Sequence, residues 1–103
     1  MDIHYFDNDI EHFIDSLDYP TAAKVVRTIG LLERFGNRLG LPHSKSIGHG
    51  LFELRTRGIH EVRLFYTFHN GAVILLGFVK KSNAIPQRIL REAIRKKKML
   101  DSI

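Results

Sequence analysis

Four cations stand among apolar neighbours that make a charge costly. Arg55 lies inside LFELRT, Arg63 inside VRLFYTF, and Lys80 and Lys81 close the run AVILLGFVKK. A charge taken out of water needs a counter-ion or a ligand. The guanidinium group is a planar fork that matches phosphate oxygens, and the ammonium group is a point charge. Together they can hold an RNA backbone. They can also stabilise the extra negative charge on a phosphate attacked by its neighbouring 2′-OH, a form of electrostatic catalysis. The structural alternative is that Arg55 pairs with Glu53 or Glu61 while Lys80 and Lys81 are solvated strand ends, since architectural ion pairs perturb charges just as sites do.

Other chemistry is thinner. His49, His60 and His69 fall in or near the same stretch, and histidine is the usual acid–base group near neutral pH. Their spacing matches no metal motif. His49 and His69 suit plain turn positions, and His60, at the start of the Arg63 strand, is a minor candidate. Tyr66 alternates onto the apolar side of its strand, where a core tyrosine with a bonded hydroxyl is the ordinary outcome. Arg88, Arg91, Arg95 and Lys98 recur at helical spacing, and residues 88–98 hold six Lys or Arg. With Arg57 they are the candidate contacts to an RNA backbone, although a solvated helix face reads the same way and no aromatics interleave for base stacking. There is no Ser/His/Asp set, phosphate-binding glycine loop or paired-carboxylate motif. The chain has no cysteine, which excludes disulfides, zinc–thiolate and iron–sulfur sites and thiol catalysis.

The elements that must position these groups follow from periodicity. Residues 2–6 read as a short first strand. Ile10, Phe13, Ile14 and Leu17 make one helical stripe, with Asp7 or Asn8 as cap. Pro20 opens a second helix with Ala22, Val25, Val26, Ile29 and Leu32 inward and Gly36 just past its end. Residues 36–50, rich in glycine, read as a loop. Residues 51–56, 60–69 and 72–80 read as strands, the last two joined by the hairpin dipeptide Asn70-Gly71. A two-residue turn there pairs His69 with Ala72, Phe65 with Leu76, Arg63 with Phe78 and Glu61 with Lys80. Paired residues share a face. Glu61, Arg63, Phe65 and Lys80 therefore occupy one face, and Val62, Leu64, Tyr66, Phe68, Leu75 and Val79 the other, where the two helices should pack. Pro86 opens a last, basic helix to about Leu100.

The chain has 103 residues and a net charge of +5, which fits one domain spanning 1–103. The charge is unevenly spread. Residues 1–18 carry six acidic residues and no Lys or Arg, whereas residues 80–98 carry eight basic residues and one acid, Glu92. That polarity points to a polyanion on one side. The N-terminus lacks a basic, then apolar, leader pattern, and the longest apolar run, 72–76, is far too short for a bilayer. A soluble cytoplasmic protein without membrane contact is expected.

Three motifs in order, Gly50-Leu51-Phe52-Glu53-Leu54-Arg55, Arg63-Leu64-Phe65-Tyr66 and Gly77-Phe78-Val79-Lys80-Lys81-Ser82 with Pro86, resemble the RelE/HigB superfamily of toxins from toxin–antitoxin pairs, and its phage-derived HigB-like branch most. The resemblance spans nearly the whole chain. It implies a RelE-like α+β fold: an N-terminal helical hairpin on a small, mainly antiparallel twisted sheet, plus a basic C-terminal helix. It also implies a metal-independent endoribonuclease, an mRNA interferase, that cuts mRNA on the ribosome without a cofactor. The partners implied are mRNA on the ribosome and a cognate antitoxin of helix-turn-helix type. By resemblance Arg63 contacts the reacting phosphate, Lys80 or Lys81 is the basic residue ending the last strand, and Arg55 is the ELR arginine. The chain departs from the RelE pattern where a catalytic tyrosine often opens the last helix: Pro86, Gln87 and Arg88 stand there. A lysine of lowered pKa, His60 or Tyr66 is left as general base, or the mechanism rests mostly on orientation and charge. The alternatives are a non-catalytic RNA- or ribosome-binding protein of the same fold and, less consistent with the basic helix's side chains, a DNA-binding regulator.

Overall fold

The computed structural model describes residues 1–103. In chain order it contains β1 (Ile3–Tyr5), α1 (Asp9–Asp15), α2 (Tyr19–Phe35), a 3₁₀ turn (Gly36–Arg38), β2 (Ser44–Gly48), β3 (Leu51–Thr56), β4 (Val62–Phe68), β5 (Ala72–Val79) and α3 (Gln87–Asp101). The five strands form one mixed sheet in the order β1-β5-β4-β3-β2. β1 runs parallel to β5, and the other neighbours are antiparallel. This is an α+β architecture.

The helices form where their stripes and ends allow. The Asp18 carboxylate accepts from the Thr21 N–H at 3.3 Å and the Thr21 hydroxyl at 2.8 Å, which caps α2. Pro20 stands in the first turn, and Gly36 ends the helix at φ 56°. Ile10, Ile14, Val25, Ile29 and Leu32 are buried against Leu54, Val62, Leu64, Tyr66 and Ile74. Val26, placed inward by the helical pattern, is exposed instead. Gly77 permits the close seat of α1: a Cβ there would stand 2.6 Å from the side chains of both Phe13 and Leu64.

Two expectations fail in instructive ways. The stretch 36–50, read as a loop, contains the edge strand β2, paired with β3 through Ser44–Leu54 and Lys45–Glu53. Its polar sequence hides it, because an edge strand buries little; its hold is the buried Ser44 hydroxyl, 2.6 Å from the Tyr66 hydroxyl. The second concerns the hairpin. Phe68, not His69, pairs with Ala72, because the Ala72 N–H is donated to the Asp2 carbonyl at 2.9 Å, on the β1 side. A bulge between Phe65 and Tyr66 leaves Leu75 unpaired and cancels the slip. Beyond it Phe65 faces Leu76 and Arg63 faces Phe78, as the two-residue turn requires, and the Lys80 N–H donates to the Glu61 carbonyl at 2.7 Å.

The bulge also turns Leu75 away from the helical hairpin, the face on which strict alternation puts it. Leu75 packs with Phe65, Phe78 and Ala93 beneath α3. α3 therefore covers part of the face opposite the hairpin, over β5. What stays open is the end formed by the tips of β3, β4 and β5.

Candidate functional site

Cross-strand pairing builds the site from β3 outward. Arg55 faces Arg63 directly, and Glu53 faces Phe65 one pair further along the same face. Two like charges opposite one another are unfavourable. The Glu53 carboxylate resolves this: its Oε1 accepts from Arg55 Nε at 2.8 Å and lies 3.7 Å from Arg63 Nε. Glu53 is 1% exposed and Arg63 4%, so this pair lies out of solvent, while Arg55 stays partly exposed. The anticipated Arg55–Glu53 pair forms, and Arg63 shares it.

The bonding of Arg63 is incomplete. Nη1 donates to the Val62 carbonyl at 3.3 Å, Nη2 lies 3.7 Å from Glu61 Oε1, and Nε has no hydrogen-bond partner. Glu53 Oε2 is likewise unpartnered. Arg63 opens onto a depression of about 210 Å³ lined also by Glu61, Lys80, Lys81, Ser82 and Asn83. Three cations thus converge on one hollow, with hydroxyl and amide donors at its rim. An anion the size of a phosphate group would find Arg63, Lys80 and Lys81 among the groups lining this hollow.

The remaining candidates separate. His60 lies 3.6 Å from Asp18, in a different hollow bounded by Phe13, Leu17, Val79 and Lys81. The Thr21 hydrogen bond and the nearby His60 hold the Asp18 carboxyl below the usual range. Tyr66 is buried on the helical-hairpin face with its hydroxyl on Ser44. Burial pushes its phenol above the ordinary tyrosine range, and the Ser44 bond offsets this in part. Tyr66 therefore does not meet the depression. Arg57 points to the α2 side and lines a separate cleft. On α3, Arg88, Arg91 and Lys98 are exposed. Arg95 is bonded to Glu92, which raises the arginine and lowers the carboxyl.

Two groups escaped the reading of the sequence. Glu61 lies on the face that the register assigns it, and it is the one carboxylate lining the depression. Lys96 looked like one more surface cation. It is 5% exposed, donates to the Leu75 carbonyl at 3.0 Å and pairs with Asp7 at 3.1 Å. No sequence signal marks it, because its partners are supplied by a bulge and by the N-terminal segment.

Fold and site define a small α+β protein whose sheet presents a carboxylate-clamped arginine pair beside a lysine-lined depression. A family model described as phage-derived protein Gp49-like matches residues 12–98, and the chain belongs to that family. It is a family of toxin-like, RelE-like proteins of toxin–antitoxin systems. No curated protein matches the chain. No helix is long and apolar enough to cross a membrane.

Proposed function

We propose that this protein is the toxin of a toxin–antitoxin pair, of the HigB-like branch, and that it cuts mRNA held by the ribosome. The observation that carries this reading is the depression itself, where Arg63, Lys80 and Lys81 line one hollow with a single carboxylate, Glu61. In the reaction a ribose 2′-OH attacks the adjacent phosphorus and the bond from phosphorus to the 5′ oxygen breaks. The products are a 2′,3′-cyclic phosphate and a 5′-OH. Arg63 and the two lysines stabilise the added charge on the phosphorane. Glu61 takes the 2′-OH proton, since it lines the depression and neither His60 nor Tyr66 does. A proton from a neighbouring donor or water completes the leaving group. A small helix-turn-helix antitoxin is the matching partner.

The test is cleavage of a defined mRNA on translating ribosomes. Wild type cuts it. Glu61→Gln lowers the rate by about 10²–10⁴-fold with RNA binding kept. The paired change Lys80→Ala, Lys81→Ala lowers it by about 10²-fold or more. It alters exposed or half-exposed side chains and leaves the fold intact. Intact mRNA with wild-type protein overturns the enzyme reading. The burial of Arg63 favours a second reading, an RNA binder without cleavage, and binding with intact mRNA is its signature.

A further inference from the structure

A second cationic cleft lies around the edge of the sheet from the depression. It measures about 300 Å³ and is bordered by Lys24 and Arg27 of α2, His43 before β2, and Arg55 and Arg57 at the end of β3. None of its nine lining residues is acidic. Lys24, Arg27 and Arg57 are exposed. The cleft is built rather than accidental. At its floor the Thr56 hydroxyl donates to the Thr28 hydroxyl at 3.1 Å, which donates to the Lys24 carbonyl at 2.9 Å, fastening α2 to β3. Lys24 Nζ lies 2.9 Å from where a Cβ on Gly58 would stand, so it closes the wall toward the loop after β3. Arg55 belongs to both places: Glu53 holds its Nε on the sheet face, and the residue also borders the cleft.

We propose that this cleft is a second RNA-backbone site, which seats phosphates of a segment flanking the one at Arg63. The inference rests on the RNA reading above and extends it to a strand that wraps the edge of the sheet past Arg55. Uncompensated cations at close range are unfavourable to each other, and a run of phosphates relieves this by releasing its condensed counter-ions.

The experiment is a salt titration of binding to labelled polyuridylate, with three paired variants. Lys24→Ala with Arg27→Ala lowers the log–log salt slope by about 1.5 and weakens binding about tenfold or more at low salt. Arg34→Ala with Arg38→Ala removes the same charge from exposed positions outside the cleft and stays within about twofold of wild type. Lys80→Ala with Lys81→Ala reports on the depression separately. If only the last pair weakens binding, the cleft inference falls and the RNA reading stands. If the cleft pair and the Arg34/Arg38 pair weaken binding equally, the effect is net charge and the inference falls. If wild type binds neither polyuridylate nor ribosomes loaded with mRNA, the RNA reading itself fails. Polyglutamate displacing the RNA from the cleft at equal charge concentration identifies an acidic-protein site instead and overturns the proposal.

Discussion

Glu53 holds the charge balance of the open sheet face. Its carboxylate lies between the side chains of Arg55 and Arg63; Glu53 and Arg63 are buried and Arg55 is partly exposed. Buried ion groups of this kind are weak sources of stability, since desolvation consumes most of the attraction, yet removing one member leaves the others uncompensated. Glu53→Gln is therefore expected to lower stability by about 3–5 kcal/mol, read as a shift in the denaturant midpoint. An unfolding midpoint unchanged from wild type would show that Glu53 is not the counter-ion. The four cations were legible in the sequence because each interrupts an apolar run, and the register placed Arg63 correctly. The clamp was legible only as one of two candidate partners for Arg55. That Arg63 shares it depends on side-chain reach, which strand pairing does not give.

At the level of elements, α3 is attached through polar contacts as much as apolar ones. Ile89 and Ala93 lie over Phe65 and Phe78, and Lys96 reaches past them to the Leu75 carbonyl and to Asp7. Its ammonium also lies 5.4 Å above the Phe6 ring. Lys96→Met keeps the apolar stem but leaves a buried carbonyl unpaired, and is expected to cost about 1–3 kcal/mol. Hydrogen exchange should show faster exchange along α3 with β3–β4 protection preserved; uniform loss of protection would contradict a local role. Strand and helix ends were largely legible from alternation, Pro20, Pro86 and Gly36. β2 was not, since its sequence is that of a turn-rich loop. The cationic cleft was within reach: Lys24, Arg27, Thr28 and Leu31 repeat the spacing used for the apolar stripe, on an adjacent strip of α2.

For the whole molecule, the uneven charge seen in the sequence becomes a spatial arrangement. The acidic first segment is tied to the basic last helix by Asp7–Lys96, and two cationic hollows lie at the tips of β3, β4 and β5. Stability at high pH follows from Tyr66. Burial raises its phenol above the ordinary value, so the neutral form is favoured in the folded state. Its contribution is full below about pH 10, where an unfolded tyrosine begins to ionise, and is lost as pH rises through the folded value. Tyr66→Phe should shallow the loss of stability above about pH 10, while lowering stability at neutral pH by stranding the Ser44 hydroxyl. A wild-type stability flat through that range, measured by denaturant unfolding, would refute the assignment.

The unpaired Leu75 has a consequence for how this hairpin tolerates change. Deleting that one residue would bring Ile74 and Leu76 into consecutive register, and each would keep its present partner, Tyr66 and Phe65. The ladder is thus complete without it. What Leu75 adds is a side chain and a free carbonyl, and both face α3. It acts as a socket let into the sheet, so part of the last helix's hold on the fold comes from an insertion of a single residue. The arginine pair, which lies beyond that insertion, is positioned by the strands alone.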